Sequence, residues 1–311
     1  MNTTTTQFVP PSARQIREHL DRYAVTGPSR LMMWLPTAGL AAVIVLSFTG
    51  QGAGLFLAWL LLLGIVVFTS IRAGRTRSIE QRAVRVQELA LLRHYPQALR
   101  LAWRLLPAVT VNGEVHGRLV ALMGHALEQV GAYEQAIVVY DWLIERLPQG
   151  HPASLQLQAQ RAIAQIAAQR LADADRSLRS LRGVADGSPP GPLSAAYRLA
   201  ILYQLVHTGH DEDALAVGGN LVDELRPLGV EAGLGYALMA TAEQRMIQRR
   251  PEEADHYQSE ARTWWTRATL LMPARVLRAR FPEIPAELEG LAASLAPSNP
   301  VARERGPQPH D

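Results

Sequence analysis

Five alanines, Ala98, Ala136, Ala174, Ala214 and Ala254, recur at intervals of 38, 38, 40 and 40 residues, and each follows a short polar or turn-forming stretch. A fixed period between roughly 20 and 50 residues belongs to chains built from stacked supersecondary units. A small residue at the same place in every unit lets two helices cross at close range. The spacing predicts an all-α fold, an α-solenoid of about five helix pairs over residues 72–296, with a C-terminal cap.

The strongest unit is Gly117–Pro148. Val120, Met123, Gly124 and Leu127 fall on a first helix, Gly131 and Tyr133 at a turn, and Ala136, Tyr140 and Leu143 on a second helix that Pro148 closes. Gly124 and Ala136 permit close approach, Gly131 supplies a left-handed turn, and proline cannot continue a helix. In this order and spacing the unit resembles the tetratricopeptide repeat. The other units keep less of the pattern. The first has Tyr95, Ala98 and Pro107. The third has Ala162 and Ala174 but no turn glycine. The fourth has Gly209, Ala214 and Pro227, with Gly218 where an aromatic belongs, and the fifth has Ala242, Ala254 and Ala261 with Arg249 and Pro251 at its turn. The intervals exceed the family's usual 34 residues. Part of the excess falls in Gly183–Pro192, read as a linker and hinge.

The resemblance implies a protein or peptide partner held on a concave face by residues of each first helix. Those residues are Arg118, His125, Glu128 and Gln129 in the second unit, and Arg198, Gln204 and His207 in the fourth. Trp264 and Trp265 are neighbours on the last long helix and point about 100° apart. The expectation is one indole against the fourth unit and the other under the cap; the alternative is an exposed anchor for the partner.

Ahead of the repeats, residues 31–71 contain no charged residue. As one helix they would run to about 60 Å at 1.5 Å per residue, twice a bilayer core of about 30 Å. Gly50-Gln51-Gly52-Ala53-Gly54 divides them. They read as a transmembrane hairpin, with arginine at both flanks placing both termini in the cytoplasm; the short hairpin and the compositional bias point to a bacterial inner membrane, with an organelle membrane as the alternative. A cleaved signal peptide fits less well, since 30 residues precede the first span. Charge agrees with this reading. Residues 1–30 carry a net +2 and 71–110 a net +6, which leaves −5 on the rest of a chain whose total is +3. Residues 111–311, which hold all but the first repeat, are therefore acidic, against a nucleic-acid partner. Within residues 1–30, Ser12 and Gln15 are spaced as a capping box. Ile16, Leu20 and Tyr23 then share one face of a short helix, suited either to a membrane surface or to packing on the repeats. Residues 297–311 read as a disordered tail.

Little in the chain promises chemistry. It contains no cysteine, which removes thiolate ligands and nucleophiles, and its basic residues are all arginine. No phosphate-binding loop, HExxH, GxSxG or kinase pattern occurs. The one dense polar cluster is His207-Thr208-Gly209-His210-Asp211-Glu212-Asp213. Two histidines and a carboxylate could hold a metal, but Gly209 as a reversal and Asp211 at a helix start explain the same residues as a turn. The reading is a non-enzymatic adaptor or scaffold without metal or cofactor. The alternatives are an accessory subunit that packs its hairpin into a larger membrane assembly, and a metal enzyme using His207 and His210.

Overall fold

A computed structural model of the chain describes residues 10–25, 74, 77–110, 112–148, 151–187, 191–288 and 290. The protein is all-helical, with no strand among the described residues. It divides into two compact units, Met1–Leu157 and Gln158–Asp311.

Unit one holds α1 (Ala13–Arg22), α2 (77–91), α3 (Tyr95–Leu105), α4 (Gly113–Gln129) and α5 (Tyr133–Ile144). Helix α4 packs on both α3 and α5. The division falls inside α6 (Pro152–Ala167). Unit two continues with α7 (Leu171–Asp186), α8 (Pro192–His207), α9 (Asp211–Val217), α10 (Leu221–Leu225), α11 (Ala232–Arg249), α12 (Ala254–Leu271) and α13 (Ala274–Arg280). Its densest packing joins α11 to α12, and α11 also rests on α8 and α9.

The alanine period has a backbone cause. Arg93, Gly131, Gln169 and Gly209 all have positive φ, between 61° and 78°, and each stands five residues before a marker alanine. At every one the same two hydrogen bonds close the preceding helix. The amide of the left-handed residue donates to Ala90, Glu128, Ile166 or Val206, and the next amide reaches back to Leu89, Leu127, Gln165 or Leu205. This is the Schellman closure, which satisfies carbonyls that a helix end leaves open. The marker alanine then donates to the residue just past the left-handed one (His94, Ala132, Arg170 or His210), starting the second helix without a linker. Ala98, Ala136, Ala174 and Ala214 are all buried there, at 1% exposure or less.

The weaker units differ from the strongest one in identifiable ways. The third turn needs no glycine, since Gln169 takes the left-handed conformation, as Arg93 does in the first. The fifth turn departs from the pattern. The residue before a proline is pushed out of the helical region. Arg250, preceding Pro251, is extended (φ −132°, ψ 74°), a 3-10 turn follows, and Ala254 is only half-buried. In the fourth pair the second helix is broken around Gly218, where a Cβ would meet the Met239 side chain at 2.2 Å. Met239 occupies the place the aromatic was expected to fill. The Gly183–Pro192 linker is shorter than read, because α7 runs on to Asp186.

Gly131 gives a clean test of the turn. A Cβ there would touch nothing within 4 Å, so Gly131→Ala carries only the left-handed strain, about 1 kcal/mol. The unfolding free energy from urea titration is expected to fall by that amount. No change would mean that the turn does not hold this geometry.

The localisation expectation is overturned. Among the described residues no helix is long and apolar enough to cross a membrane. The longest, α11 and α12, have 18 residues each, but α11 carries Glu243, Arg245 and Arg249, and both helices are apolar on part of their surface only. An integral two-span protein of a bacterial inner membrane with cytoplasmic termini is therefore not supported. Segment 31–71, on which that reading fell, lies outside the described residues, as do residues 291–296 at the end of the cap and the 297–311 tail.

Candidate partner-binding grooves

Two grooves contain residues that the sequence marked for binding. In unit one, α2 and α4 border a groove of about 270 Å³. Val84, Leu119 and Leu122 form apolar wall, and Glu80, Glu114 and Arg118 form charged rim. Arg118 pairs with Glu114 at 2.7 Å one turn away, and both side chains are more than half exposed. Such a pair is weak and leaves the guanidinium open to a competing carboxylate.

In unit two, α7 and α8 border a larger groove of about 400 Å³. Leu178, Tyr197 and Ile201 supply apolar surface. Arg179, Arg182, Arg198 and Gln204 supply donors, against the single carboxylate of Asp175. Arg179 pairs with Asp175 while 70% exposed. Arg198 Nε lies 3.3 Å from Glu224 on α10. This groove lies between the second helix of one pair and the first helix of the next, so Arg198 and Gln204 contribute to it together with a helix the sequence reading left out. Arginine forks over an apolar floor recognise a carboxylate beside an aliphatic or aromatic side chain.

The remaining candidates lie elsewhere. Glu128 is buried and accepts a hydrogen bond of 3.0 Å from the Tyr140 hydroxyl, so it fixes the α4–α5 contact. His125 faces Tyr95 edge-on at 6.0 Å, and Gln129 is partly buried near the end of α4. Trp264 and Trp265 are 9% and 1% exposed, which removes them as exposed anchors. Trp264 lies near Tyr236, on the first helix of its own pair, with ring centroids 5.7 Å apart and planes tilted by 33°.

The histidine cluster is a structural knot. His207 Nδ1 lies 2.9 Å from Glu283 and its Nε2 3.2 Å from Gln169, while His210 meets the Thr208 hydroxyl at 2.8 Å. Asp211, fully buried, sits 3.5 Å from Arg245 and 3.0 Å from Arg249. Burial pushes its carboxyl above the ordinary value, against the pull of both arginines. Arg245 also binds the Val206 carbonyl at 2.6 Å and Glu283 at 2.9 Å. Among the described residues no group of three or more His, Cys, Asp or Glu is placed to hold a metal.

One buried acid stands apart. Glu243 on α11 is 7% exposed, and burial, with repulsion from Glu260 on α12, pushes its pKa up to about 7. A folded value above the unfolded one means that stability is fully present below pH 4.5 and falls as pH rises to about 7. Glu243→Gln removes the charge but keeps a buried amide. It is expected to raise stability by about 1–2 kcal/mol at pH 8, on a scale of 1.36 kcal/mol per pKa unit, and to change little at pH 4.5. Urea unfolding at both values checks this; an equal effect at both would sink the assignment.

Comparison with family models, with curated proteins and with solved structures finds no match to this chain.

Proposed function

We propose that this chain is a tetratricopeptide-like helical-repeat scaffold that binds a protein or peptide partner through its inter-helix grooves. The observation that carries the reading is the α7–α8 groove, where three arginines border an apolar floor. Support for the repeat class comes from the left-handed closure recurring at Arg93, Gly131, Gln169 and Gly209, together with the residue order of Gly117–Pro148. The groove favours a partner segment that presents a carboxylate next to an apolar side chain. Because residues 111–311 carry a net −5, such a segment is attracted locally and repelled elsewhere, which sets its register.

Charge reversal tests this. Arg179→Glu with Arg182→Glu is expected to lower partner affinity by at least about tenfold, with a slower association rate and an altered salt dependence, and with an unchanged unfolding midpoint. Unchanged affinity in a folded double variant would refute the assignment of this groove.

A further inference from the structure

Helix α1 is held on unit one by a mixed interface. Ser12 and Gln15 form the expected capping box, with bonds of 3.3 and 2.9 Å. Ile16 and Leu20 are fully buried, and α1 packs on α5. Around this apolar contact Arg17 makes a two-pronged pair with Glu145, at 3.1 and 2.7 Å. Asp21 accepts from Trp142 Nε1 at 2.9 Å and from Arg146 at 3.0 Å.

Two histidines lie in the same interface. His19 stacks on Trp103 of α3, with ring centroids 3.7 Å apart and planes 7° apart, and its Nε2 lies 3.3 Å from the Trp103 carbonyl. His116, near the start of α4, is 1% exposed, and its Nε2 meets no acceptor among the described residues. Its ring is hydrogen-bonded to the backbone of Tyr23, the residue that ends α1.

We propose that α1 is a proton-sensitive latch: docked while His19 and His116 are neutral, and released from α3, α4 and α5 when they are protonated. Protonating His116 creates a second N–H with no partner and a charge beside Arg146, in a site bordered by Trp142 of α5 and by Tyr23 at the end of α1. The charged groups facing the pair are Arg17, Asp21 and Arg22 from α1, and Glu145 and Arg146 from the end of α5; α3 presents Trp103 and its carbonyl. Burial lowers the pKa of both histidines, aided by Arg22 at His19 and Arg146 at His116 and opposed by the backbone bonds to Trp103 and Tyr23. Arg17 holds Glu145 below the usual carboxylate range, and Arg146 adds to this. For Asp21 burial acts upward, but the bond from Trp142 and the pairs with Arg17 and Arg146 outweigh it and leave its pKa lowered. Both carboxylates are thus held toward the charged form.

The sign follows from the lowered values. Docking is fully stable above about pH 6.5, the ordinary histidine value, and weakens as pH falls through the depressed values of the docked state. The docking constant drops by up to about tenfold per pH unit for each proton taken up.

The chain has no cysteine, so Glu18→Cys and Arg100→Cys, exposed on α1 and α3, allow two spin labels on the full-length protein. Electron–electron distance measurement from pH 8 to pH 5 is expected to show one short distance at pH 8 and a growing long-distance population toward pH 5. The change should reverse on raising the pH, with helical circular dichroism largely retained. The same labels in a His19→Gln, His116→Gln chain should show a pH-independent distribution, whether docked or released. A single short distance down to pH 5 would overturn the proposal, as would an identical transition in the doubly substituted chain.

Discussion

Arg245→Met is expected to cost about 3–5 kcal/mol of stability at pH 7, the range for breaking a buried ion pair from one side. Asp211 has no exposed surface, and Arg245 supplies one of its two cationic neighbours. The same guanidinium closes the Val206 carbonyl near the end of α8 and holds Glu283, so three segments of unit two lose a common partner. The deficit should depend on pH. Burial already raises the Asp211 carboxyl, and losing Arg245 raises it further. A group raised in this way is least costly below its unfolded value and most costly above its folded one. The penalty of Arg245→Met should therefore shrink between pH 7.5 and pH 4.5. Adding Asp211→Asn should recover more than half of it, since a neutral amide needs no counter-charge. Glu243 titrates in both proteins and cancels in the difference. Urea midpoints for the four chains of the cycle decide the matter. A deficit equal at both pH values, or one that Asp211→Asn deepens, would mean that the knot is held by packing alone.

The second large effect sits on α4, which carries Gly117 and Gly124, with Gly131 in the turn just past its end, at seven-residue spacing. They should respond differently. At Gly124 an added Cβ would lie 2.7 Å from Tyr140 and 3.1 Å from Val139. Tyr140 cannot swing aside, being fully buried and bonded to Glu128. Gly124→Leu should cost roughly 3 kcal/mol through overpacking and lower the urea midpoint accordingly. At Gly117 nothing lies within 4 Å, so Gly117→Ala should add about 0.5–1 kcal/mol through helix propensity. A Gly124→Leu protein as stable as the parent would contradict the close α4–α5 crossing.

Most of the fold's order was legible because alanine and glycine report backbone proximity directly. Ala136 and Gly124 stand where helices cross closely, and Gly131 takes the left-handed turn without strain, so their spacing carries the geometry. What stayed hidden has physical reasons. Arg93 and Gln169 take a left-handed conformation that their side chains do not favour, so nothing in their identity announces the turn. Glu128 reads as surface because a glutamate usually is, and only Tyr140, twelve residues on, makes its burial tolerable. The pattern of Ile16, Leu20 and Arg17 serves a protein surface as well as a lipid one, and what settles it is Glu145, Trp142 and Trp103, which no local spacing could reveal. Two buried side chains at about 1.5–3 kcal/mol each outweigh exposed pairs of 0–1 kcal/mol, so α1 docks for its apolar face and takes its register from its charges. For the candidate site, Arg118, Arg198 and Gln204 were found from the resemblance. Arg179 and Arg182 were missed because the resemblance points to first helices, and they come from a second.

The proposed scaffold role is tested most directly by photo-crosslinking in the source cell. A benzophenone amino acid would be placed at Arg118, Arg179, Arg198 and, for comparison, at the exposed Arg262 on α12. The account predicts a covalent adduct to one partner protein from Arg179 and Arg198, a similar or weaker one from Arg118, and none from Arg262. Adducts of equal yield from Arg262, or from Arg262 alone, would contradict it.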